Sequence, residues 1–155
     1  MHRTYQYRLK PNKTQKMALA AALEQDRQLY NAALQERRDA YEKAGVSITV
    51  YDQQRALTTI RRDDEWFRNG HAKRQRGPLV RVDRAFKAFF RRVKAGEKPG
   101  YPRFKSRDRW RSIEIAEQYS VRDGRFHSKD FDGVKIHMHR PLPQGVKHCG
   151  ATLVS

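Results

Sequence analysis

Between Gly100 and Arg111 the chain reads Gly-Tyr-Pro-Arg-Phe-Lys-Ser-Arg-Asp-Arg-Trp-Arg, so Tyr101, Phe104 and Trp110 alternate with Arg103, Lys105, Arg107, Arg109 and Arg111. Aromatic rings stack on unpaired bases while cationic groups hold phosphates, so this composition suits a nucleic-acid strand. Tyr101 and Phe104 can also pin such a segment to a core while its basic tips stay in water, and both roles can hold for neighbouring residues. A second cationic set, Arg81, Arg84, Lys87, Arg91, Arg92 and Lys94, surrounds the apolar series Val82, Phe86, Phe89, Phe90 and Val93. That series has helical spacing and predicts a packed face, which leaves cations of a single sign on the remaining circumference for phosphate contact.

A rival chemistry lies near the end of the chain. His137-Met138-His139 is the histidine–hydrophobic–histidine pattern by which a class of single-strand nucleases binds a catalytic metal, and His148 and Cys149 follow it. Such an enzyme also needs a tyrosine nucleophile on a nearby helix, and short His-x-His patterns arise easily by chance. The expected role is therefore a polar strand face, with metal-dependent cleavage as the alternative. Asp130 and Asp132 flank a turn and read as turn formers. One cysteine excludes an internal disulfide and a Cys-rich zinc module. No cofactor is expected.

The elements that must position these residues follow from periodicity. Tyr5, Tyr7 and Leu9 alternate within residues 3–9, which predicts a short strand ended by Pro11-Asn12. Asn12 or Thr14 can cap a helix running to about Ala44, where Leu19, Leu23, Tyr30, Leu34 and Tyr41 form one stripe and Gly45 is the stop. A second helix is predicted over about 49–62, with Ala56, Leu57 and Ile60 as its apolar side; residues 68–77 read as irregular. The two prolines and the glycine of Pro99-Gly100-Tyr101-Pro102 predict an extended segment after the third helix. Strands are predicted at 112–116, 119–121, 125–127, 134–139 and 151–154, with Asp-Gly turns at 123–124 and 132–133. The fold class is α+β. The simplest assembly is a small antiparallel β-barrel joined by the N-terminal strand, with a helical lobe inserted.

Charge narrows the partner. The 155 residues carry 34 Lys+Arg and 17 Asp+Glu, a net +17. Residues 61–111 alone account for +12. A field that concentrated lowers stability by self-repulsion unless a polyanion neutralises it, and nucleic acid is the expected polyanion, ahead of an anionic membrane surface. Those cations should converge on one concave groove. The longest apolar runs are a few residues, which predicts no membrane span, and residues 1–5 lack the apolar region of a secretory signal.

Four segments together resemble a known family: Tyr7-Arg8-Leu9-Lys10-Pro11-Asn12, Leu29-Tyr30-Asn31-Ala32-Ala33-Leu34, Val82-Asp83-Arg84-Ala85-Phe86-Lys87-Ala88-Phe89-Phe90-Arg91-Arg92, and Gly100-Tyr101-Pro102-Arg103-Phe104-Lys105-Ser106. In this order they are similar to the N-terminal part of OrfB/TnpB proteins, which insertion sequences encode. The resemblance implies a wedge-type β-barrel, incomplete here, interrupted by a helical recognition lobe, at the start of an RNA-guided DNA nuclease related to type V CRISPR effectors. On that scheme residues 1–10 are the first barrel strand, 11–98 the recognition lobe, 99–111 a basic aromatic connector and 112–155 the remaining strands. The implied partners are guide RNA and target DNA, and Tyr51 matches an aromatic position implied to contact the target-adjacent motif. The implied location is the cytoplasm, at the nucleoid when bound to DNA. The family's cleavage centre, three RuvC carboxylates and a CxxC zinc ribbon, has no counterpart among these residues, so a binding fragment that does not cut is expected. A repressor-like DNA binder working without RNA is the alternative.

Overall fold

A computed structural model describes all 155 residues. After β1 (Arg8–Lys10), α1 spans Lys13–Ala44. Its start is set by a capping box: the Asn12 side chain accepts from the Gln15 N–H at 2.8 Å, and the Asn12 N–H donates to Gln15 Oε1 at 2.9 Å. It ends at left-handed Gly45, whose N–H reaches the Tyr41 carbonyl at 3.0 Å. Then come α2 (Val50–Asp63), capped by Thr49 with Asp52, a single turn α3 (Glu65–Arg68) and α4 (Ala72–Lys94). The strands are β2 (Ser112–Ile115), β3 (Tyr119–Arg122), β4 (Arg125–Ser128), β5 (Val134–His137) and β6 (Ala151–Val154).

One long helix serves two cores. Leu29, Tyr30, Ala33 and Leu34 of α1 pack with Leu57, Phe67, Leu79, Val82, Phe86 and Trp110. Earlier on α1, Ala22, with Ala18 and Leu19 beside it, packs against Ile113, Ile115, Phe126, Phe131 and Val134 of the strands. Each large apolar side chain so buried contributes about 1.5–3 kcal/mol against the entropy of ordering.

The strands form two antiparallel sheets, β1-β5-β4-β3 and β2-β6, and no barrel closes. The N-terminal strand does join the later ones, with Leu9 opposite Ile136. The β3–β4 hairpin turns at Asp123 (φ 53°) and Gly124 (φ 67°), the two successive left-handed residues that a tight hairpin requires.

Three expectations need correction. The first strand is only Arg8–Lys10, because β5 offers it three partners; Tyr5 and Tyr7 lie outside it, against Arg140 and His139. Residues 72–77 are helical, and α4 runs straight through Gly77 and Pro78. The apolar stripes are also less buried than their spacing predicts. Tyr41 is 65% exposed, Phe90 53% and Val93 49%, because no element covers the far ends of α1 and α4.

Candidate nucleic-acid interface

The N-terminal half of α4 is held by a buried polar knot. Arg74 donates to the Asp26 carboxylate, to Asp130 Oδ2 at 2.7 Å and to the Ala22 carbonyl at 3.0 Å, and reaches Gln25 Oε1 at 2.5 Å. Asp130 Oδ1 also accepts from the His71 N–H at 2.8 Å and so serves the start of the helix. Gln75 Nε2 and Arg61 Nη1 both donate to the Phe67 carbonyl at 2.8 Å. A Cβ on Gly70 would come within 2.7 Å of Gln25 Oε1, Gln75 Nε2 and Arg74 Nη2, so the knot requires glycine there. These contacts explain why a helix with an internal proline persists: anchored side chains outweigh one missing backbone hydrogen bond. They also correct the role of Asp130, whose carboxylate belongs to Arg74 and His71 rather than to a turn.

Burial raises the Asp26 carboxyl to about 7, against the opposing charge of Arg74. An unfolded Asp titrates near 3.9, so between there and pH 7 the folded chain holds a proton that the unfolded chain has lost. This contribution is full below pH 4 and disappears as the pH rises through 7. The expected result is a melting temperature that falls from pH 5 to pH 7.5 in the native chain and falls less in Asp26→Asn, followed by circular dichroism. Equal pH dependence in the two would refute this titration.

With α4 fixed, its outer face is set. Lys73, Arg76, Arg84, Lys87, Arg91 and Lys94 fall within roughly a quarter of the helix circumference at 3.6 residues per turn. Three of them are ion-paired at the surface: Lys73 to Glu117 at 2.9 Å, Arg84 to Glu114 at 3.0 Å and Lys87 to Asp83 at 2.9 Å. Arg76, Arg91 and Lys94 are exposed with no carboxylate within ion-pair distance.

The segment after α4 lies elsewhere. Lys105 is clamped to α1: its N–H donates to Asn31 Oδ1 at 2.8 Å, and its carbonyl accepts from Asn31 Nδ2 at 3.0 Å and Arg27 Nη1 at 3.2 Å. Tyr101 stands edge-on to Phe86 and Phe89, on the side of α4 turned away from the cationic stripe. Arg92 lies on that side too and donates to the Gly100 carbonyl at 3.1 Å. The exposed cations therefore occupy two surfaces, and the single concave groove expected for residues 61–111 does not form.

The individual site residues sort accordingly. Tyr51, at the start of α2, is 69% exposed. Arg103 and Arg109 are exposed, as is Arg107, which approaches Glu24 at 3.6 Å. Phe104 is 43% exposed. Trp110 is the clear correction: at 4% exposure it belongs to the helical core, where Tyr30 packs on one side and the Arg81 guanidinium lies 4.0 Å from its ring centroid. It offers no face to a base. Arg81 is likewise committed, to that ring and to Glu114 at 3.8 Å. Sequence reasoning passed over Arg38, whose guanidinium lies 5.4 Å from the Tyr101 ring and 5.6 Å from the Phe104 ring. Its place one helical turn after Leu34 was the available signal.

Residues 1–45 match the family model described as the helix-turn-helix domain of OrfB from IS605-type elements. The match supports an OrfB/IS605-type N-terminal part and covers residues 1–45 alone. No curated protein matches the chain. Helix-turn-helix domains as a class bind DNA, so the match points to a nucleic-acid partner. The geometry of the matched OrfB-type segment differs from its label, because it folds as a short strand and one uninterrupted 32-residue helix. No second helix crosses a turn within it to enter a groove.

Beyond the OrfB-type segment, β5 stops at His137, short of the strand expected over 134–139. His139 lies past it in a turn, its N–H donating to the His137 carbonyl at 3.1 Å, and the two rings are 6.3 Å apart without sharing a strand face. His148 instead stacks with Tyr119, and Cys149 Sγ lies 3.9 Å from His2 Nδ1. No three His, Cys, Asp or Glu side chains gather as a metal site would need. No helix is long and apolar enough to cross a membrane.

Proposed function

We propose that this chain is the nucleic-acid-binding N-terminal part of an OrfB/TnpB-type RNA-guided endonuclease, holding guide RNA and target DNA at the nucleoid without cutting them itself. The supporting observation is the cationic stripe on α4, in which Arg76, Arg91 and Lys94 have no carboxylate partner, on a helix anchored by the Arg74 knot. On this reading the helices form the recognition lobe, residues 99–111 connect it to the strands, and exposed Tyr51 is available to a target-adjacent DNA motif. The carboxylates beside the stripe are occupied by cations: Glu117 by Lys73, Glu114 by Arg84, and Asp83 by Arg37 at 3.1 Å and Lys87. That favours binding over hydrolysis.

The test is a salt titration with duplex DNA, structured RNA and an RNA–DNA hybrid. Each phosphate contact lowers the slope of log K against log salt by about 0.9 on duplex or 0.7 on single strands, so four or more contacts give about −3 or steeper. Tighter binding to the RNA-containing ligands supports the guide reading. Sequence-selective duplex binding without RNA would replace it with the repressor-like reading, which the helix-turn-helix match favours. No binding at 50 mM salt would end both.

A further inference from the structure

Residues 98–104, with Arg38 of α1, line an open cleft of about 470 Å³ that presents Arg38, Lys98, Tyr101, Arg103 and Phe104. Its frame is stiff. Two prolines restrict the backbone, Arg92 holds the Gly100 carbonyl at one end, and Asn31 with Arg27 grips Lys105 at the other. Its chemistry is incomplete. Tyr101 and Phe104 keep 41% and 43% of their surface in solvent, with the Arg38 guanidinium near both rings. Arg38 Nε is buried and has no hydrogen-bond acceptor, and no carboxylate pairs with Arg38 or Arg103. A guanidinium held beside two half-exposed rings and free of any carboxylate partner is available to an anion that enters the cleft.

We infer that this cleft takes one unpaired nucleotide of a single strand, its base against Tyr101 and Phe104 and its phosphate on Arg38 and Arg103. The inference rests on the nucleic-acid reading and deepens it. The cleft volume lies within the roughly 300–1,000 Å³ of small-ligand pockets. Flat rings accept any base, and phosphate-binding cations are indifferent to sequence, so selection here is for an unstacked base. A duplex keeps its bases stacked and meets the protein at the α4 stripe instead. The two surfaces thus divide the work between paired and unpaired polymer.

Short single-stranded RNA and DNA oligomers carrying one 2-aminopurine test this with the full chain, alongside a duplex. Binding should quench the probe in the single strands. Phe104→Leu keeps apolar bulk but removes the π face; it should weaken single-strand binding roughly 5- to 100-fold and abolish the quench, with duplex affinity unchanged. Phe104→Tyr should restore both. Should Phe104→Leu fail to fold by circular dichroism, Arg38→Gln carries the same expectation. Loss on RNA alone or DNA alone supports the cleft and names its source. Unchanged single-strand affinity, or an equal loss on duplex, overturns the cleft while leaving nucleic-acid binding intact. Failure of the native chain to bind any polymer overturns the broader reading instead.

Discussion

Arg74→Met lowers the melting temperature by roughly 6–20 °C. The arginine is 1% exposed, and its guanidinium supplies donors to Asp26, Asp130, Gln25 and the Ala22 carbonyl. Methionine preserves the stem and the apolar contacts but leaves those acceptors facing one another without a donor. Breaking a buried pair by removing one partner costs about 3–5 kcal/mol, far more than a surface ion pair. For a chain of this size each kcal/mol moves the midpoint by about 2–4 °C. Asp26, which titrates near 7, already holds its proton at pH 5 and depends less on the cation there, so the loss should be smaller at pH 5 than at pH 8. Arg74→Lys retains the charge without the fork that reaches two carboxylates at once, and should fall between the two. Thermal melts by circular dichroism check all three chains. A methionine variant melting within about 2 °C of the native chain would show that the knot is incidental to stability.

Much of this architecture is legible locally. Asn12 followed three residues later by Gln15, and Gly45 at the far end, bracket α1 because caps are short-range chemistry. Asp123-Gly124 announces its hairpin for the same reason. The knot is different. Arg74 meets partners 48 and 56 residues away, and nothing beside it in sequence distinguishes it from the other cations of its stretch. Gly77-Pro78 argues locally against a helix, and tertiary anchoring overrides that preference. Trp110 sits among arginines and reads as a surface ring, yet the core between α1 and α4 needs its bulk, and Arg81 covers its face. Phe90 and Val93 show the reverse error: their helical spacing is genuine, but amphipathic spacing describes a face and says nothing of whether a partner exists to cover it. For the candidate site, the sequence identified the cations and the aromatic residues. It could not separate those that serve the fold from those left free, because that division depends on which carboxylates and rings fold beside them.

That division predicts where binding energy resides. The four-site variant Arg76→Gln, Arg84→Gln, Arg91→Gln and Lys94→Gln should lose roughly 10³-fold in duplex affinity at 100 mM salt. Each side chain that meets a phosphate contributes about 0.9 to the salt slope, so removing four flattens it by up to about 3.6. The two proteins should converge near 1 M salt, where the electrostatic contribution fades, and a tenfold dilution then separates them by as many decades as the slopes differ. Stability should barely change. Glutamine is a good helix former, the positions face solvent, and the one ion pair lost, Arg84 with Glu114, is 60% exposed on the arginine side. A charge-matched control, Lys13→Gln, Lys16→Gln, Arg55→Gln and Arg62→Gln, removes the same net charge from α1 and α2. Because that control lowers the overall field equally, only a localised interface makes the stripe variant bind more weakly than the control. Should the larger loss fall on the control, the contact lies on α1 or α2, where the helix-turn-helix label would place it for α1. Equal losses would mean that duplexes respond to net charge alone, and the stripe would have no special part in recognition.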